Sequence, residues 1–384
     1  MPAIKAARSA GGRGHGPLLP PCVLHDNFFY RTRTDYMPTI NEKLTEEIRA
    51  QARTLLADGT VAAVIGFARG SLPMTVKPVV VRAAADCGRL VWNSFCVLNL
   101  ANYLPEVLKS VEPPRGPRDP KPAGPLPKVA VLATGCWSRN IVVQTQEHQV
   151  DRERVVVMGV ASRGMVSRRK VESHFSGREI LAVEELDHDL LVTGADFADK
   201  INRWSVVRDN CQTCIHPDPV LVDVRIGEPA SARKNPNPFK QVDDLEAQTS
   251  AERWAWFTSE FSTCIRCYAC RNACPLCYCP TCFVDDARPQ WVGKSLDPVD
   301  TGLFHLLRAY HCAGRCTDCG ACESVCPMGI NMRMLTKKLN KDVLNLYGME
   351  AGMQPGSPLP LTTYATTDPQ KFIVTEAKAV KEDE

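Results

Sequence analysis

Two runs of cysteine carry the plainest chemistry in the chain: CIRCYACRNACP from Cys264 and CTDCGACESVCP from Cys316. Each reads Cys-x2-Cys-x2-Cys-x3-Cys-Pro, and the two begin 52 residues apart. Three thiolates at this spacing wrap one face of an iron–sulfur cubane, while the fourth lies beyond the loop and reaches a neighbouring cluster. The expectation is therefore reciprocal, with one [4Fe–4S] cluster on Cys264, Cys267, Cys270 and Cys326 and a second on Cys316, Cys319, Cys322 and Cys274. Pro275 and Pro327 fix φ and remove an N–H just after each crossing ligand, so the chain turns away without leaving another donor unpaired. Zinc also takes Cys-x2-Cys, but zinc ribbons use separated pairs and not three cysteines at successive x2 spacing with a fourth before proline. A cubane whose irons all carry thiolate has no substrate position, so the expected chemistry is one-electron transfer.

The elements around these runs must build both a cluster module and a larger body, because 384 residues exceed what one small ferredoxin needs. A helix is expected from Asn41, with Leu44, Ile48, Leu55 and Leu56 near one face and Asp58-Gly59 as its stop. Strands are expected at Val61 to Phe67 and Pro78 to Val81, and the proline-dense PPRGPRDPKPAGPLP from Pro113 to Pro127 reads as an extended linker. Beyond it the pattern alternates: an apolar strand from Lys128 to Thr134, a helix from Ser138 to His148, an apolar strand from Arg154 to Val160, a helix from Met165 to His174, and a closing strand from Val220 to Arg225. The fold class is thus α/β, a mostly parallel sheet with flanking helices, followed by a small α+β dicluster ferredoxin-like module. The expected divisions are an N-terminal arm over 1–40, the α/β domain over 41–228, the cluster module over 229–347 and an extended tail over 348–384 that orders only against another subunit.

Composition excludes several classes. Apolar residues at 44% and charged ones at 23% are ordinary for a globular chain, and a formal charge of +3 with scattered lysines and arginines leaves no nucleic-acid footprint. No apolar run approaches the roughly 20 residues that cross a bilayer, and Lys5, Arg8 and Arg13 precede no apolar stretch of a secretory signal. A cytoplasmic setting is expected, where 18 cysteines at motif spacing indicate metal ligation and not disulfides.

Residues 264 to 327 resemble the dicluster ferredoxin modules of multisubunit redox enzymes. The stretch from about Asn41 to Gly227 resembles more loosely the beta subunits of coenzyme F-420 hydrogenases and dehydrogenases, including formate dehydrogenase beta subunits. The residues that carry this are KVAVLATGC ending at Cys136, GVASRGMVSRRKV from Gly159, and RDNCQTCIHPDPVLVDVRIGE from Arg208. The resemblance implies a third [4Fe–4S] cluster near a flavin such as FAD, with Cys136, Cys211 and Cys214 at the matching positions. Ser162 stands where the family's other cysteine is expected, and serine is a poor substitute for a thiolate. Independently, Cys136 and Ser162 each follow the end of an apolar strand, which puts both at the carboxyl edge of a parallel sheet, where ligands bind.

Cys277, Cys279 and Cys282 follow the first motif and Cys312 precedes the second; another cluster, the missing ligand of the Cys136 site, zinc and free thiols all stay open for them. Cys22, Cys87 and Cys96 lack partners at motif spacing and read as isolated thiols. The glycines from Gly11 to Gly16 form no dinucleotide fingerprint, and Gly293-Lys294-Ser295 is half a phosphate loop with Arg288 where its first glycine must be. His305 and His311 read as surface residues, and Trp254, Trp256 and Phe257 as a seal over the cluster module. The expected function is an electron-transfer subunit of a cytoplasmic oxidoreductase of hydrogenase, formate dehydrogenase or heterodisulfide-reductase type, partnered by other redox subunits and not catalytic alone. Two alternatives stand beside it: a self-sufficient flavin enzyme acting on coenzyme F-420 or another soluble hydride carrier, and a structural iron–sulfur scaffold.

Overall fold

A computed structural model describes residues 38–114, 124–231 and 237–360. The glycine run at Gly11, Cys22 and most of the N-terminal arm lie outside the described residues, as do the middle of the proline-dense linker, part of the 228–239 boundary and the tail beyond Pro360. The described residues from Thr39 onward belong to one compact unit.

The first helix, α1 (Ile40–Ala57), begins at a capping box in which Thr39 and Glu42 satisfy each other's backbone N–H groups, and it buries Leu44, Ile48, Ala52 and Leu55. The apolar runs that follow become β1 (Ala63–Arg69) and β2 (Val76–Val81). Helix α2 (Leu104–Ser110) leads to β3 (Val129–Ala133), α3 (Gly135–Gln146) and β4 (Val155–Val160), and α4 (Arg168–His174) follows. Every residue of β3 and β4 is buried, which is why these strands read as unbroken apolar runs and not as alternating ones. With β8 (Val224–Ile226) they form a five-stranded sheet of order β2-β1-β3-β4-β8, parallel except where β2 pairs antiparallel with β1.

The expected βαβ unit is therefore present, with shifted ends: α3 starts three residues before Ser138, α4 three after Met165, and β8 near the end of the expected strand. A second, three-stranded antiparallel sheet over β5 (Ile180–Glu185), β6 (Asp189–Gly194) and β7 (Ala198–Asn202) had no counterpart in the expectation. It closes its own small core of Val166, Val171, Phe175, Leu190, Val192 and Ile201.

The cysteine runs sit among short helices: α5 (Asp209–Gln212), α6 (Lys240–Glu246), α7 (Ser250–Ser262), α8 (Ala269–Asn272), α9 (Pro298–His311), α10 (Ala321–Ser324) and α11 (Arg333–Tyr347). Gly302 of α9 lets Phe257 of α7 approach to where a Cβ would stand 3.1 Å from the ring, so the two helices cross tightly. Phe261, Val284, Val292, Phe304, Ile330 and Met332 fill this core together with Cys270 and Cys326. Trp256 and Phe257 pack against it as expected, whereas Trp254 remains 64% exposed and only stacks on Phe257. The tail does not wait for a partner before Pro360: Leu359 is buried, Arg139 donates to Ala351 O at 2.8 Å, and Gln146 donates to the carbonyls of Gln354 and Ser357. Polar side chains of α3 anchor it, which its proline-rich composition did not disclose.

Candidate iron–sulfur centres

Both cysteine loops take the left-handed conformation at the same two places, Arg266 (φ 47°) and Tyr268 (φ 60°) in the first and Asp318 (φ 57°) and Gly320 (φ 67°) in the second. Such turns point successive backbone N–H groups into one concavity. The Arg266 backbone N lies 3.4 Å from Cys264 Sγ and donates to it, and the amides of Arg271, Asp318 and Ala321 donate to the sulfurs of Cys270, Cys316 and Cys319. At Gly320 a side chain would also strike Arg208, whose guanidinium donates to the Gly320 carbonyl. Helices α8 and α10, at equivalent positions, then carry Cys270 and Cys322.

The fourth cysteine of each run lies beside the other run. Cys326 shares a core with Cys264 and Cys270 and is close enough to disfavour the ionisation of both. Cys274 instead packs with Cys316 and is a charge neighbour of Cys322, as are Cys316 and Cys319. Burial first, and the neighbouring thiols with it, push the thiols of Cys264, Cys270 and Cys322 up. At Cys274 the contact with Cys277 favours the thiolate, but the contact with Cys312 and burial outweigh it. Every described cysteine is free of a disulfide.

Around the loops stand donors and cations. His305 is a correction to the surface reading: it is only 3% exposed, its ring lies between Phe261 and Phe304, and its Nε2 is 3.2 Å from Cys264 Sγ. The helical position of His305 on the face of α9 turned to α7 puts it inside. Burial, then the charges of Arg308 and Arg266, lower its pKa to about 3. Arg308 donates to the Cys270 carbonyl at 2.9 Å and has Cys270, Cys274, Cys277 and Cys312 as its charge neighbours. The Nε atoms of both Arg266 and Arg308 are buried without an acceptor. Under the second loop, Arg333 pairs with Asp318 at 3.0 Å and Glu323 at 3.1 Å. Burial would raise the Asp318 carboxyl, but Arg333 and Lys337 hold it below its ordinary range.

Cys136, Cys211 and Cys214 also converge. Burial above all, then the neighbouring Cys319, Cys214 and Cys211, pushes the Cys136 thiol well up. With Ser162 they line a cavity of about 90 Å³ at the carboxyl edge of the parallel sheet. Gly135 is what allows the approach, since a side chain there would collide with the His216 carbonyl of the segment that follows Cys214. Ser162 is held by its amide, which donates to Pro217 O at 2.8 Å. The cavity abuts the second loop, for Thr317 donates to the Cys136 carbonyl at 3.0 Å.

Cys277, Cys279 and Cys282 do not reach that cavity. They line another, of about 360 Å³, with Arg308 and His311, so the ligand donation to Cys136 left open in the sequence has no geometric basis. Cys312 is buried beside Cys274 and Cys316, and Cys87 and Cys96 are buried in the α/β core. Spacing could not find His305 or Arg308, which fall outside both runs and, for His305, meet a cysteine of the distant first run; the amphipathic face of α9 was the available signal. Gly293 lies over the Asp300 carboxylate, and Ser295 donates to the same group, so this turn is a helix-entry loop.

Paired loops of this form, exchanging their fourth cysteines, define a ferredoxin-type iron–sulfur region. Residues 260–330 match the 4Fe-4S dicluster domain family. The chain is similar, at 30% identity over 120 residues, to the F420-dependent formate dehydrogenase subunit beta of Methanocaldococcus jannaschii, a match covering 31% of this chain and 30% of that protein. It is also similar, at 29% identity over 97 residues, to the F420-dependent formate dehydrogenase 1 subunit beta of Methanococcus maripaludis, with 25% and 24% covered. These matches span less than a third of the length of either relative. A chain of the F420-reducing [NiFe] hydrogenase complex from Methanosarcina barkeri aligns over 59% of this chain and 91% of its own at 14% identity and a TM-score of 0.32. Among the described residues no helix is long and apolar enough to cross a membrane.

Proposed function

We propose that this chain is an iron–sulfur electron-transfer subunit of a multisubunit oxidoreductase, passing single electrons through two [4Fe–4S] clusters on Cys264, Cys267, Cys270 and Cys326 and on Cys316, Cys319, Cys322 and Cys274. The observation that carries the reading is the exchange: Cys326 lies with Cys264 and Cys270, Cys274 with Cys322. The donor set fits the group, since soft thiols surround each concavity, backbone N–H groups face their sulfurs, and two buried guanidinium Nε atoms lack an acceptor that cluster sulfur would supply. Clusters so bound supply one-electron transfer; the protein's part is to hold the thiolates, shield them from water and keep the two sites adjacent.

A third cluster on Cys136, Cys211 and Cys214 belongs to the same proposal. The thiols face one cavity whose neighbour is Cys319, so an electron entering there stands next to the second loop. The order would be the Cys136 site, the Cys316 loop, then the Cys264 loop. Similarity to subunits named for F420-dependent formate dehydrogenases supports an enzyme complex of that kind as the setting.

A flavin favours a second reading, the self-sufficient enzyme. The Cys136 cavity, at about 90 Å³, falls below the roughly 300–1,000 Å³ of cofactor-sized pockets. A cavity of about 490 Å³ beside Cys326 has the volume for such a cofactor, and of its bases Arg168 and Lys170 are paired with Glu172 and Asp209, which leaves Arg169 and Arg208 as the cations a phosphate-bearing group such as FAD would meet. The experiment is anaerobic purification from the native source with identification of co-purifying subunits and bound flavin. Partner redox subunits and a chain that takes electrons from a strong reductant without hydride chemistry support the subunit; steady reduction of a soluble hydride carrier by the single chain with added FAD transfers the function to the second reading.

A further inference from the structure

The structure assigns to one face of α9 the setting of the two cluster potentials: His305 acts on the Cys264 cluster alone and Arg308 on both. The inference rests on the cluster reading above and goes beyond it by naming groups that ligate nothing. His305 and Arg308 are three residues apart, hence neighbours on one helical face. The His305 imidazole packs against Phe261 and Phe304, with ring centroids at 4.5 and 5.0 Å, and its Nε2 stands 3.2 Å from Cys264 Sγ. With its proton on Nε2, as a thiolate acceptor requires, the ring donates a hydrogen bond to a ligand of one cluster and touches no cysteine of the other set.

Arg308 occupies different ground. Its Nη2 donates to the Cys270 carbonyl at 2.9 Å, within the first loop, while Cys274 and Cys322 of the second set are charge neighbours of the same guanidinium. No carboxylate among the described residues forms an ion pair with it, and its Nε is buried without an acceptor. A permanent cation so placed, uncompensated by an acid, is a charge held between two sets of thiolates. Gaining an electron adds negative charge beside these groups, and both a sulfur-directed hydrogen bond and a nearby cation stabilise the reduced form, which raises its potential. Coulomb attraction falls only as the inverse of distance, so a cation between the sites reaches both, whereas a hydrogen bond is felt by the sulfur it meets.

The test is a redox titration of the anaerobically purified full-length protein, followed by electron paramagnetic resonance, with iron content measured on every sample. His305→Ala is expected to move one midpoint to more negative potential and leave the other in place, and His305→Gln, which keeps an N–H donor, to recover part of the shift. Arg308→Gln is expected to move both midpoints negative, and Arg308→Lys to return them toward the parent values. The inference is overturned if His305→Ala moves neither midpoint or both equally, or if Arg308→Gln leaves either in place. It is equally overturned if His305→Ala and Arg308→Gln lose iron while His305→Gln and Arg308→Lys keep it at unshifted potentials, because the side chains would then only support the fold. Parent protein without iron would instead contradict the cluster reading, a distinct outcome.

Discussion

At the scale of single residues, the crossing cysteines carry the sharpest consequence. Cys274 belongs by sequence to the first run but lies with Cys322, and Cys326 belongs to the second but lies with Cys264 and Cys270. Cys274→Ala should therefore damage the cluster of Cys316, Cys319 and Cys322, and Cys326→Ala that of Cys264, Cys267 and Cys270; cluster-resolved spectroscopy on both variants checks this, and damage confined to each variant's own run would refute the exchange. The thiols also predict a pH dependence. Burial holds Cys136, Cys316, Cys319 and Cys322 protonated above the ordinary thiol range, and ligation needs thiolates. Raised pKa values favour the protonated apo form until the pH climbs through them, so cluster reconstitution into apo-protein should release protons and proceed more completely as pH rises. In the same apo-protein the exposed Cys279 and Cys267 should alkylate well before Cys136, as peptide mapping after timed alkylation would read.

At the scale of elements, helix α11 locks the second loop by a buried charge network. Arg333, 1% exposed, links Asp318 inside the loop to Glu323 on α10, and Lys337 adds a second cation to Asp318. Arg333→Met leaves part of that acid charge buried and unpaired, for which a loss of about 3 kcal/mol is expected. An earlier midpoint in anaerobic denaturant unfolding, with the Cys316 cluster lost first, is the expected result. At the other site the limiting element is the loop after β4. Ser162 lines the cavity of Cys136, Cys211 and Cys214 but offers a hydroxyl, so Ser162→Cys should raise bound iron by up to about 4 per chain or slow its loss to chelators. An unchanged iron content and unchanged chelation rate would show that these three cysteines hold no cluster.

At the scale of the whole molecule, the legible parts were those with strict periods. The buried runs of β3 and β4 announced the parallel sheet, and cysteine spacing announced both loops, because these features depend on local repetition. What stayed hidden depends on distant segments meeting. His305 looked like a surface residue until α7 and α9 crossed over it, strands β5 and β7 on either side of the alternating β6 are too exposed and irregular to stand out, and the segment up to Pro360 is ordered by Arg139 and Gln146 from far upstream. The convergence of Cys136 with Cys211 and Cys214 followed from the family resemblance and from strand ends, but the close passage at Gly135 that permits it is a tertiary fact. The central claim, an iron–sulfur relay, is most directly tested by anaerobic iron and acid-labile sulfide analysis of the full-length protein with Mössbauer spectroscopy. The account predicts about 8 irons and as many sulfides per chain, rising to about 12 if the Cys136 site is filled, all in four-iron clusters. Iron near zero with stoichiometric zinc in its place would contradict it.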